Sequence, residues 1–133
     1  MKRWLVNFCM IALGGIVFVS SAWAGSLSIV EPKDNAVVAS PFAVRFQVQG
    51  MKVEPAGTVV QGAGHHHLLV NMEPIPKGEE IPFTKRHLHF GQGQTDARVN
   101  LPPGVYKLTA QFADGEHKSY GSEYSHAITL TVK

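Results

Sequence analysis

The chain has 133 residues, with 12 Lys and Arg against 10 Asp and Glu and 7 His, a formal charge of +2 when the histidines are neutral. A single cysteine, Cys9, excludes an internal disulfide framework, a cysteine-ligated metal and dithiol redox chemistry. After Lys2-Arg3 the longest basic run is Lys85-Arg86, so no tract marks the chain for nucleic acid or an anionic membrane surface.

The first segment reads as an export leader. Lys2 and Arg3 precede an apolar stretch from Trp4 to Val19, and Ala22-Trp23-Ala24 supplies small residues for cleavage before Gly25. The stretch is short for a bilayer span and is interrupted by Gly14 and Gly15. The expected organisation is therefore a signal peptide over residues 1–24 and one domain over residues 25–133. Its expected location is periplasmic or secreted, with no membrane span after cleavage. Loss of Lys2 and Arg3 leaves ten basic against ten acidic residues, and Cys9 goes with the leader.

Beyond Gly25 the hydrophobic period is two, and no window carries a helical stripe. Leu27 and Ile29 share a face. Phe42, Val44, Phe46 and Val48 then alternate with Ala43, Arg45, Gln47 and Gln49, which is the pattern of a half-buried strand. Residues 65–72 place Leu68 and Val70 on one side. Leu88 pairs with Phe90, and Ala97 aligns with Val99 and Leu101. Tyr106, Leu108, Ala110 and Phe112 follow on the next strand, and Ile128, Leu130 and Val132 on the last. Turn formers stand between these runs at 31–35, 101–104 and 113–116. About seven strands in a hundred residues predict an all-β, immunoglobulin-like antiparallel β-sandwich, with a small closed barrel as the alternative. The connection from Pro74 to Arg86 is long and carries Pro74, Pro76 and Pro82; it is either functional or a plain bridge between sheets.

That connection joins the two stretches richest in histidine, 64–71 (GHHHLLVN) and 87–95 (HLHFGQGQT). Alternation sends His65 and His67 to one face and His66 to the other with Leu68 and Val70. His66 is then expected in the core, its ring hydrogen-bonded to backbone groups. His87 and His89 face away from Leu88 and Phe90. Residues two apart on a strand are about 7 Å apart, close enough for two imidazoles to reach one ion. If the strands pair, His65, His67, His87 and His89 can converge. Asp114 and His117 lie in the following turn, Asp114 either as ligand, as orienting acceptor, or as a simple Asx turn. His126 is expected at the surface. Nitrogen donors without thiolate favour copper(II), with zinc second. Met51 and Met72 are read as core fillers.

The stretches GHHHLLVN, IPFTKRHLHFGQGQT and LPPGVYKLTAQFADGEH together resemble the bacterial secreted family known as domain of unknown function 4399. The likeness covers nearly all of residues 25–133. It implies that His65, His66, His67, His87, His89, Asp114 and His117 are family-pattern positions, and it implies no particular chemistry. The Pro-Gly-x-Tyr strand followed by an Asp-Gly-Glu-His turn also resembles, more loosely, small periplasmic copper-carrier sandwiches, which tilts the metal toward copper. Three readings follow: a metal carrier or sequestering protein, a structural or adaptor module with an envelope partner, and a metalloenzyme. The first is preferred. No general base or substrate cleft can be named, so catalysis is the least favoured.

Overall fold

The computed structural model describes residues 15–16 and 27–133, so nearly all of the expected leader lies outside the described residues. Among the described residues no helix is long and apolar enough to cross a membrane. Among the described residues nine strands run in chain order: β1 (Leu27–Glu31), β2 (Ala36–Val38), β3 (Phe42–Val48), β4 (Lys52–Val53), β5 (Ala63–Val70), β6 (His87–Phe90), β7 (Asp96–Val99), β8 (Gly104–Ala113) and β9 (Ser125–Val132). The seven expected from the alternation are all present. The other two, β2 and β4, are only three and two residues long, too short to show a period.

The strands form two sheets. One has the order β1-β3-β7, and the other β2-β9-β8-β5-β4, with β6 also paired to β5. The long ladders are antiparallel, whereas β2 runs parallel to β9 and β4 parallel to β5. Between the sheets lie the side chains that the alternation selects: Phe42, Val44 and Phe46 from β3 against Leu108, Ala110 and Phe112 from β8, with Ile128 and Leu130 from β9. Each of these side chains larger than alanine contributes about 1.5–3 kcal/mol when fully removed from water. The architecture is a β-sandwich, as the pattern requires.

β5 breaks the half-buried rule along its whole length, as β8 does from Leu108 to Ala113. Every residue of β5 is buried, on both faces. The inner face packs into the main core. The outer face is covered by the 74–86 connection, which lays Ile81 on Leu69 and Ala113, with Met72 and Ile75 beside them. Side chains anchor this cover: buried Gln111 accepts from the Ile75 amide at 3.1 Å, and the Ser119 hydroxyl donates to the Ile75 carbonyl at 2.7 Å. The prolines keep the segment extended, so it crosses the sheet as a strap. It does not bridge the two sheets, since β5 and β6 belong to one sheet, and it covers the histidine-bearing strand instead.

His66 takes the inner position that alternation assigns it, but not with the expected partners. Its ring stacks on Phe46 at 4.7 Å and 14° and tilts against Phe112 at 5.0 Å, and neither nitrogen has a hydrogen-bond partner. The flanking backbone groups are already used in the β5–β8 and β5–β6 ladders, so none is left for the ring. Burial, then the neighbouring His65, pushes its pKa down to about 4 and keeps it neutral. An unpartnered buried polar group costs about 1–3 kcal/mol, which an aromatic hydrocarbon of similar shape would not incur. His66→Phe is therefore expected to raise stability by about 1 kcal/mol in urea unfolding. A loss of stability would mean that the ring has a partner in solution.

Candidate metal centre

The outer face of β5 holds His65 and His67. The antiparallel ladder with β6 sets His67 opposite His89 and Leu69 opposite His87. This register decides which members of the second histidine pair approach the first. His89 comes alongside, with its Nε2 3.1 Å from His65 Nε2. His87 is carried one pleat further on, where its Nδ1 lies 2.6 Å from the Thr84 hydroxyl. It stands outside the group that forms.

The fourth member comes from the turn after β8. His117 Nδ1 lies 3.0 Å from His65 Nε2. His65, His67, His89 and His117 each present a ring nitrogen, and all four nitrogens lie within 4.8 Å of one another. His117 has φ +65°, an uncommon backbone state for a side-chain-bearing residue. Its amide donates to the Asp114 carbonyl, and its own carbonyl accepts from Ile81 in the strap, at 2.9 and 2.8 Å. Asp114 is not in the group. Its Oδ1 accepts from the Glu116 and Lys118 amides at 2.9 and 3.0 Å, which is the Asx-turn role. Met51 packs against the main core and Met72 under the strap, as expected of core fillers. His126 is exposed and accepts from the Ile29 amide.

Three further residues shape the site, and alternation gave no sign of them. Phe83, 63% exposed, stands edge-on to His89 and His117 at 5.1 and 4.8 Å and shields the mouth of the cluster. Gly91 leaves space for an imidazole: a Cβ there would stand 2.5 Å from His89 Nε2. Gly115 is pressed on the backbone of the 54–62 connection, with room for no Cβ beside the Thr58 carbonyl.

The electrostatics are those of neutral nitrogen donors. Burial pushes His65 down to about 4, aided by His89 and His117, and pushes His67 lower still, aided by His65 and then by His89 and His117. His89 is lowered by burial and then by His117. Four imidazoles this close cannot all be charged, and the neutral ring is the form that binds a metal. His67 is 1% exposed, and neither of its nitrogens has a partner in the protein; the Nδ1 of His65 is likewise unpartnered. A cation at the centre would take one nitrogen of His67.

A family model described as a domain of unknown function, DUF4399, matches residues 44–133. The chain belongs to that family. The matched span contains every residue of the four-histidine cluster, the strap and the Asp114 turn. No curated protein and no solved structure shows significant similarity to the chain.

The lowered histidines set a pH dependence for the metal-free protein. Their folded-state pKa values lie below the ordinary 6.5, so between about 4 and 6.5 the unfolded chain binds more protons than the folded one. Stability from this source is complete above pH 6.5 and is lost as pH falls toward 4. Urea midpoints at pH 7.5, 5.5 and 4.5 are expected to fall in that order, steepest below 6.5. A midpoint that does not change across this range would contradict the burial of neutral rings.

Proposed function

We propose that this protein is an exported metal-binding protein of the periplasm or extracellular space, with copper(II) the first choice and zinc the second, acting as a carrier or sequestering protein. The observation that carries the reading is the convergence of His65, His67, His89 and His117 with buried nitrogens that the fold leaves unpartnered. His67, like His66, has no hydrogen-bond partner, but unlike His66 it faces three other imidazoles.

The donor set supports copper. Four imidazoles without thiolate or carboxylate suit a nitrogen-preferring divalent ion, and copper(II) heads the affinity order for such sites. A carrier role fits a site whose mouth is shielded by Phe83 and whose members are all imidazole ligands. The leader expected over residues 1–24 supports export, where copper handling without thiols is practicable.

Calorimetric titration of the purified protein with copper(II) and zinc tests this. One equivalent is expected to bind at micromolar affinity or tighter, with copper preferred. His67→Ala and His89→Ala are expected to cost more than the roughly 10–100-fold typical of losing an outer partner. His87→Ala is expected to bind like the unaltered protein. Equal affinity in all three variants would overturn the site and leave a hydrogen-bonded structural cluster in an adaptor module.

A further inference from the structure

Three of the four histidines are fixed by sheet ladders, and one is not. His65 and His67 ride on β5 and His89 on β6, where the β5–β6 and β5–β8 pairings determine their height and face. His117 belongs to a tight turn between β8 and the last strand, and its place depends on what holds that turn.

The turn is held on three sides. From within, Asp114 Oδ1 takes both the Glu116 and Lys118 amides, and the Asp114 amide donates to the Lys118 carbonyl at 2.9 Å. On one flank the strap forms a short ladder with it: Ile81 N donates to His117 O, Ser119 N to Glu79 O and Gly78 N to Ser119 O, each at 2.8 Å. On the other flank Gly57 N donates to Gly115 O at 2.8 Å, and the Gly115 Cα lies against the Thr58 carbonyl where no Cβ fits. Neither flanking segment contributes a member to the histidine group.

We infer that Asp114 is the positioning residue of the metal centre: its carboxylate folds the turn that presents His117 Nδ1 to the other three histidines, and it does not itself bind the ion. The inference rests on the metal reading above and goes beyond it by dividing the site into a fixed three-histidine base and one delivered arm. A carboxylate oxygen that already accepts two amide hydrogens keeps the Asx geometry when Asp is replaced by Asn, whose amide oxygen accepts the same pair. A metal ligand would not survive that change so easily, because the negative charge goes with it.

The test uses Asp114→Asn, Asp114→Ala and His117→Ala in the purified protein loaded with one equivalent of copper(II). Affinity is read by competition, and nitrogen coordination by electron paramagnetic resonance. Asp114→Asn is expected to retain the affinity and four-nitrogen spectrum of the unaltered protein. Asp114→Ala is expected to lose about 10–100-fold and to show the three-nitrogen spectrum of His117→Ala. If Asp114→Ala does not fold, Gly115→Ala displaces the same turn through the Thr58 carbonyl and is expected to give the same spectrum. Loss of binding in Asp114→Asn equal to that in Asp114→Ala would make the carboxylate a ligand and overturn the inference. So would four-nitrogen binding in Asp114→Ala. An unaltered protein that binds no copper would instead overturn the metal reading, and the inference with it.

Discussion

The structure depends on one strand being dry on both faces. All eight residues of β5 are buried, three of them histidines in succession. A strand in an ordinary sandwich turns one face to water, and polar residues on that face need no partner from the protein. Here the strap from Pro74 to Arg86 lies across the outer face, so the polar rings at His65 and His67 cannot rely on solvent. The sign of a ligand is the convergence of four ring nitrogens there, with both nitrogens of His67 left unpartnered.

The rest of the site follows from register. Once β6 pairs with His89 opposite His67, the smallest residue must stand where the His89 ring lies, and Gly91 does. The same register moves His87 to the level of Leu69, outside the cluster. A shift of two residues would exchange the two histidines without altering which face either occupies. The strap closes the arrangement: it covers Leu69, presents Phe83 to the rings and forms a ladder with the turn bearing His117. Cover, shield and fourth donor are thus parts of one construction, and the length of the connection is what allows it to perform all three tasks.

Much of this was legible in the sequence, and the limits have physical causes. Period-two alternation identified the inward faces of β3, β8 and β9, because burial between two sheets selects every second residue. It also divided the histidine triplet correctly, with His66 inward and its neighbours outward. It could not choose between His87 and His89, since both lie on one face and only pairing register separates them. It could not find Phe83, a lone aromatic among prolines, or foresee that His66 would stack between Phe46 and Phe112 with no polar partner. The role of Asp114 was open because a carboxylate in a turn reads alike as ligand and as turn former. The Glu116 and Lys118 amides on Asp114 Oδ1 distinguish the two only once the fold is known.

In the resulting account, the sandwich supplies a rigid face, the strap covers it, and four imidazoles converge there. A crystal structure of the protein grown with one equivalent of copper(II) tests this most directly, through the anomalous signal at the copper edge. The account predicts a single strong peak about 2 Å from a ring nitrogen of each of His65, His67, His89 and His117. A peak only at His87, at His126 or at the start of the chain, with the four rings still linked to one another, would contradict it.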